Sequence, residues 1–234
     1  MRRSGQIATG LDPSFAASLR RAKLLPRSFF ARDPVTVSRE LLGKIILRSD
    51  PAATLAGRIV ETEAYLGAED PAAHAYRGPT DRNRVLFGPA GHAYVYFIYG
   101  MYYCLNFSCM KTGEAGCTLI RALEPLAGLD EMARHRYGGR ASRTSAATHT
   151  AAHELTPAAV RNLCSGPGKL CTALAITRAH DNDKDVCSRS SDLQVLDDGY
   201  TVARISASPR VGISKAADLP LRFFVAGSPF LSRR

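Results

Sequence analysis

Apolar and polar residues follow different spacings in different parts of the chain. Residues 1–25 mix small, polar and basic types without a clear period, and they predict a flexible basic N-terminal arm. At Ser38 a short helical pattern begins with an N-cap residue. From Gly57 onward, apolar and polar residues alternate, and glycine-bearing turns separate the alternating runs. No linker interrupts the remainder, so we expect one domain over residues 26–234.

The alternating runs predict strands that pair as an antiparallel meander. They cover residues 58–66, 93–99, 102–108 and 117–123, and three further candidates lie around Leu193, 202–206 and 221–226. Residues 157–176 return to helical spacing, with an interruption at 165–168. The stretch 138–156 is rich in Ala, Thr, Ser and Gly, so it predicts a mobile loop inside the domain.

The charge balance favours a polyanionic partner. The chain of 234 residues carries 31 Lys and Arg against 21 Asp and Glu, which is a net charge of +10. Such an excess promotes binding to nucleic acid through counterion release. A positive surface also serves solubility, so charge alone does not identify the partner.

Cysteine spacing and hydropathy indicate whether the chain binds a metal, where it is located and whether it enters a membrane. The six cysteines include no Cys-x-x-Cys pair and no histidine at zinc-finger spacing, so we expect no metal site. They are typical of buried small hydrophobic residues in a reducing compartment. No run of about eighteen apolar residues occurs, and we expect no membrane partner. The predicted location is cytoplasmic, with nucleoid association in a bacterium, or nuclear in a eukaryote.

One strand face carries candidate chemistry. The period of two places Glu61, Glu63 and Tyr65 on the same face of the run 58–66. Arg121 lies within an apolar run, where an unpaired cation would be costly to bury, so it needs an acidic partner or water. Two interpretations stay open: a structural ion pair, or Arg121 beside Glu63, favouring the ionised carboxylate and helping to hold a water.

Five tyrosines fall within the ten residues 94–103 of a chain that lacks tryptophan. They indicate either strand packing or stacking surfaces for bases. A three-residue turn at 99–101 would place Tyr96 and Asn106 on one sheet face and leave Tyr99 at the tip as a wedge. A two-residue turn would separate Tyr96 from Asn106.

The loop between the first two strands is basic. Arg82 and Arg84 are of the kind that contacts DNA phosphates. His74, in the same loop, would on its own be a surface or capping histidine.

Seven motifs in order along residues 25–231 look like those of the alkyladenine (3-methyladenine) DNA glycosylase family. They are VETEAYLG at 60–67, Asp70 with His74, RNR at 82–84, YVYFIYGMY at 94–102, LIRALEP at 119–125, CSGPGKLC at 164–171 and PLRF at 220–223. The resemblance implies a mixed α/β (α+β) fold, a single compact domain with a curved antiparallel β-sheet surrounded by helices. It also implies base excision without a metal or organic cofactor.

The resemblance implies a role for each matched position. Glu63 corresponds to the general base, Arg121 to the residue that helps hold the water, and the carbonyl of Val211 to a third water ligand. The base would lie between Tyr65 with His74 on one side and Tyr96 on the other, with Asn106 crowding the 2-amino group of guanine. Tyr99 would enter the minor groove, and the expected DNA contacts are Tyr99, Met101, Arg82 and Arg84. No lysine falls in the matched pocket positions, so strand cleavage through a Schiff base is not expected.

The expected activity is therefore hydrolytic removal of alkylated or deaminated purines from double-stranded DNA, of the 3-methyladenine, 7-methylguanine, hypoxanthine and ethenoadenine class. We expect a monomer, since a search for single lesions needs no partner subunit. Two alternatives stay open: a noncatalytic DNA-damage-binding protein with the same aromatic cage, and an RNA or single-strand binder.

Overall fold

A computed structural model describes residues 13–49, 53–98, 100–138 and 155–233. Its strands form one antiparallel sheet. They are β1 Lys23–Leu24, β2 Ile45–Ser49, β3 Thr54–Tyr65, β4 Ala93–Ile98, β5 Tyr102–Cys109, β6 Gly116–Ala127, β7 Leu193–Asp197, β8 Ile205–Ser208 and β9 Arg222–Val225. The predicted strands are confirmed in position, although β6 runs beyond residue 123 and β8 begins later than residue 202.

The strand order corrects the expected meander. It is β1-β7-β2-β3-β6-β5-β4, and β9 pairs with β3 and with β8. The long loop after β3 carries the chain to the far edge, and the hairpins β4–β5 and β5–β6 bring it back beside β3. This return sets β6 against β3, and with it Arg121 near Glu63.

Seven helices surround the sheet in the described part of the chain, which confirms a single α+β domain. They are α1 Pro13–Arg21, α2 Arg27–Phe30, α3 Pro34–Leu41, α4 Leu129–Tyr137, α5 Pro157–Leu163, α6 Pro167–Ala173 and α7 Arg178–Asp181. The predicted interruption at 165–168 separates α5 from α6. None of the described helices is long and apolar enough to cross a membrane.

The start of α3 differs from the expectation for Ser38. The helix begins four residues earlier, where the Asp33 carboxylate accepts the N–H of Thr36 and Pro34 occupies the first helical position. An Asp cap followed by proline satisfies an end donor and presets the backbone, so it outcompetes a serine farther along. Ser38 is instead buried inside α3, where its hydroxyl is 2.9 Å from that of Thr118.

The main core lies between the sheet and the helices. Large buried side chains include Phe30, Leu41, Ile59, Phe107 and Ile120. Five of the six cysteines are buried in the structure, and Cys187 is half-buried. Burial raises the pKa of the Cys109 thiol to about 12, so the group stays a neutral hydrophobic side chain.

The described residues cover part of the predicted arm. Residues 13–24 hold α1 and β1, and β1 is hydrogen-bonded to β7. The flexibility of residues 1–25 and the division at residue 25 stay predictions. Most of the predicted loop 138–156 lies outside the described residues, as does Tyr99, which was predicted to be a wedge.

Candidate active site

Glu61, Glu63 and Tyr65 share a face of β3, as the period of two predicts. Register shifts in the β3–β6 pair leave Val60 and Arg121 outside the regular pairing, as extra residues on the two strands. Such bulges bend strands and re-aim side chains. The Arg121 guanidinium meets both carboxylates, with Nε 2.8 Å from Glu61 Oε1 and Nη1 3.1 Å from Glu63 Oε1. Arg121 therefore forms the structural ion pair and also lies beside Glu63, as both interpretations require, while its part in holding a water stays a prediction.

The Glu63 carboxylate is fully buried and receives hydrogen bonds on both oxygens. Oε1 accepts the backbone N–H of Val211 at 2.8 Å in addition to the Arg121 contact. Oε2 accepts the Tyr65 hydroxyl at 2.9 Å. Burial, followed by the neighbouring Glu63 charge, raises the pKa of Tyr65, so its phenol remains a neutral donor. Val211 thus reaches Glu63 through its amide, a contact that the sequence does not indicate.

Glu61 lies beside this group and binds two arginines. Arg121 Nε and Arg222 Nε each donate to its Oε1 at 2.8 Å. The hydroxyl and N–H of Ser232 donate at 2.7 and 2.6 Å. Burial alone would raise the pKa of the Glu61 carboxyl, but the bonds from Ser232 and Arg222 and the charge of Arg121 hold it below its ordinary value. Sequence reasoning missed Arg222, although it too is a cation within an apolar strand.

A cavity of about 530 Å³ opens over these groups. All of the predicted base-binding residues line it, and so do two of the predicted catalytic residues and one predicted DNA contact. The predicted residues in the lining are Tyr65, His74, Tyr96, Asn106, Arg121, Val211 and Arg82. Glu63 lies directly behind this lining, since its donors Tyr65, Arg121 and Val211 all face the cavity. The structure therefore brings the residues matched to base binding and to water activation together at one cavity.

The β4–β5 register confirms the three-residue turn. Ile98 pairs with Tyr102 and Tyr94 pairs with Asn106, so Tyr96 and Asn106 share a face. The buried Asn106 side chain donates to the carbonyl of Tyr94 at 3.1 Å, which fixes its amide at the cavity wall. The strands β4 and β5, which carry the tyrosines, thus contribute both to hydrophobic packing and to the cavity wall.

His74 joins an aromatic cluster in the cavity wall. Its Nδ1 lies 2.9 Å from the Tyr94 hydroxyl, and its ring meets that of Tyr96 edge-on with centroids 4.5 Å apart. Asn83, which sequence reasoning did not single out, holds the loop by donating to the carbonyls of His74 and Gly78. His74 therefore contacts Tyr96 directly. The family resemblance had placed these two side chains on opposite sides of the base.

Replacing His74 by glutamine should weaken the pH dependence of stability below neutrality. Burial, followed by the charge of Arg82, lowers the pKa of His74 from 6.5, whereas the unfolded chain keeps the ordinary value. The unfolded state therefore binds more protons, and the free energy of unfolding falls as the pH drops below about 6.5. Urea unfolding of both proteins at about pH 7.5 and 5.5 measures the change. Equal losses in wild type and His74→Gln would contradict this assignment.

Among the described residues predicted to contact DNA, Arg82 lines the cavity, and Met101 follows the strand β4, whose Phe97 and Ile98 also line it. Arg82 and Arg84 are exposed, and the Arg82 guanidinium carbon is 6.0 Å from the Tyr96 ring centroid. Met101 is 65% exposed at the hairpin tip, beside the exposed Phe97 and Tyr102.

Lys169 also lines the cavity, although it is not one of the pocket positions that the resemblance matched. It follows the glycine-rich turn at the start of α6, which folds toward the β4–β5 hairpin. Its ammonium donates to Asn162 and, at 3.3 Å, to Ser165. Burial, followed by the charge of Arg136, lowers the pKa of Lys169.

Comparison with known proteins places the chain in a family. The methylpurine-DNA glycosylase family pattern matches residues 28–229. A relative from Koribacter versatilis is 54% identical over 92% of this chain and 96% of its own length, and one from Methanocella arvoryzae is 47% identical over 90% and 96%. A third, from Alkaliphilus oremlandii, is 41% identical over 90% and 99%. Each carries the name of a 3-methyladenine DNA glycosylase. The chain belongs to the methylpurine-DNA glycosylase family.

Proposed function

We propose that this DNA glycosylase flips a damaged purine out of duplex DNA into the 530 Å³ cavity and hydrolyses its N-glycosidic bond with a water activated by Glu63. The observation that carries the proposal is the hydrogen bonding of the Glu63 carboxylate. A carboxylate offers about four acceptor positions. Val211 and Arg121 occupy two positions on Oε1 and Tyr65 occupies one on Oε2, and these three donors line the cavity; the fourth position, on Oε2, is proposed to accept from the water.

The same arrangement suits activation of that water. Glu63 takes a proton from water as the oxygen attacks the anomeric carbon, and the Arg121 guanidinium, 3.1 Å from Oε1, helps to orient the carboxylate. A third contact to the water is assigned to the carbonyl of Val211, whose amide already orients Glu63. The negative charge of Glu63 also opposes the positive charge that develops on the sugar as the bond breaks.

The extruded base would be bound by stacking on the aromatic walls of the cavity. Unstacking a base costs a few kcal/mol, and stacking on an aromatic side chain returns roughly 1–3 kcal/mol. Tyr65 and Tyr96 line the cavity and would provide these surfaces. Tyr99 and Met101 would fill the vacated stack, while Arg82 and Arg84 neutralise phosphates.

The proposed substrates are purines alkylated at N3 or N7, deaminated adenine and ethenoadenine. A purine alkylated at these positions is cationic and leaves readily, so positioning of water supplies most of what its release requires. Asn106 is proposed to exclude normal guanine by crowding its 2-amino group. The protein is proposed to act as a monomer.

Single-turnover release of free base tests the proposal. We expect wild type to release base from duplexes containing 3-methyladenine, 7-methylguanine, hypoxanthine or ethenoadenine, and to leave undamaged duplex intact. The product strand should break only after alkali, because no step of the proposed reaction uses a lysine as a nucleophile. Lys169, which lines the cavity, is hydrogen-bonded to Asn162 and Ser165. Strand breakage before alkali would contradict simple hydrolysis.

Binding measurements separate the two alternative functions. Tight binding to lesion duplex without release of any base would indicate a damage-recognition protein. Equal affinity for lesion duplex, undamaged single strands and RNA would indicate a general nucleic-acid binder. The proposed enzyme instead prefers lesion duplex in competition and turns it over.

A further inference from the structure

A buried arginine stands behind the cavity wall that Tyr65 forms. The Arg210 guanidinium carbon is 4.6 Å from the Tyr65 ring centroid, and the side chains of Arg210 and Asp70 are both fully buried. Nη1 and Nη2 donate to the two Asp70 oxygens at 2.5 and 2.9 Å. This two-pronged pairing fixes the plane of the guanidinium, which a lysine ammonium could not do.

The same guanidinium joins segments that are distant in sequence. Nη1 also donates to the carbonyl of Ala64 at 3.0 Å, and Nη2 to that of Ala216 at 3.4 Å. Asp70 in turn accepts the N–H of Leu66 at 3.2 Å. The end of β3, the turn after it and the segment around residues 210–216 are therefore held by one ion pair.

Both oxygens of Glu63 depend on groups that Arg210 holds. Val211, the next residue in the chain, donates its N–H to Oε1. Tyr65, whose ring covers the guanidinium, donates its hydroxyl to Oε2. A displacement of Arg210 would therefore move one donor on each oxygen, whereas the Arg121 contact comes from β6 and would remain.

We propose that Arg210, held in place by Asp70, is a positioning residue for base release: it aims the Glu63 carboxylate at its water without touching the substrate. This inference rests on the proposed function. Neither Arg210 nor Asp70 is among the described residues that line the cavity. Reacting groups must be placed closely, and a misplacement of about 1 Å can lower a rate by roughly 100-fold.

Arg210→Lys and Asp70→Asn test the role. Lysine keeps the positive charge but loses the planar fork, and asparagine keeps the shape of Asp70 but loses its charge. We expect either change to lower the single-turnover rate of base release by roughly 10- to 100-fold, with the dissociation constant for lesion duplex changed less than about threefold. Asp70→Glu keeps the charge pair and shifts the guanidinium by one methylene, and it should give an intermediate rate.

A second buried pair provides a matched control. Arg48 on β2 and Asp181 on α7 are 2.6 Å apart, with side chains 5% and 0% exposed, and neither lines the cavity. Arg48→Lys and Asp181→Asn should lower the melting temperature to a similar degree and leave the rate of base release unchanged, with all proteins assayed well below melting.

Each outcome has a distinct meaning. Wild-type rates in the Arg210 and Asp70 variants would overturn the positioning role and leave the proposed function standing. Equal rate losses in both buried pairs would also overturn it, because they would report stability alone. If wild type itself released no base, the proposed function would fail before the variants were compared. Should Arg210→Lys not fold, Asp70→Glu decides the matter by the same comparison.

Discussion

Replacing Glu63 by glutamine is expected to lower the single-turnover rate of base release by roughly 10²- to 10⁴-fold, the usual contribution of a general base. Glutamine keeps the size of the side chain and an oxygen that can accept from Val211 and Arg121. It cannot take a proton from water or oppose the charge that develops on the sugar. The rate of release at saturating enzyme, measured on a hypoxanthine duplex, isolates the chemical step.

The affinity for lesion duplex should change little in Glu63→Gln, because the aromatic walls are untouched. Glu124→Gln is the matched control, since Glu124 lies in the same sheet, opposite Arg58, and outside the cavity lining. It should release base at the wild-type rate. An active Glu63→Gln protein would remove Glu63 from the catalytic role, and the adjacent buried carboxylate of Glu61 would become the residue to test.

Local periodicity explains why part of the site was predictable. The alternation along β3 puts Glu61, Glu63 and Tyr65 on one face, and the cost of burying an unpaired Arg121 calls for an acidic partner or water. The same periodicity applies to the β4–β5 hairpin. A three-residue turn puts Tyr96 and Asn106 on a common face, and the structure has that turn.

The contacts that escaped prediction join residues far apart in the chain. Arg210 meets Asp70 and Arg222 meets Glu61 across long stretches of sequence, and no local spacing specifies such partners. The Val211 amide is a backbone group, which any residue type could supply. These pairings follow from the position of β9 and the segment before it, and the alternation of single strands does not encode that position.

The predicted strand order and the predicted start of α3 were wrong. Each hairpin was recognisable by itself, but the long loop after β3 allows several orders, and the observed one sets β6 beside β3. The helix α3 begins at Pro34 because Asp33 caps it, so the predicted cap at Ser38 was wrong.

Glu61→Gln should have the largest effect on stability. Glu61 is the acid paired with Arg222 in the described part of the chain, whereas Arg121 would keep Glu63. Loss of one partner from a buried ion pair costs about 3–5 kcal/mol, because the other charge stays buried. For a protein of this size, that corresponds to a melting temperature lower by roughly 6–20 °C. Glu63→Gln should lower it less, since both arginines would still contact Glu61.

A double variant identifies the cause of that loss. If the unpaired Arg222 charge destabilises Glu61→Gln, then Glu61→Gln with Arg222→Met should recover much of the melting temperature, because an apolar side chain of similar length leaves no buried charge. Calorimetry of the two single variants and the double variant gives the comparison. Additive losses would show that the bonds from Ser232 to Glu61, and not the charge balance, hold this part of the molecule together. Recovery would show that Glu61 neutralises the buried Arg222 charge, and together with loss of base release in Glu63→Gln it would assign the two glutamates of one strand face to separate tasks.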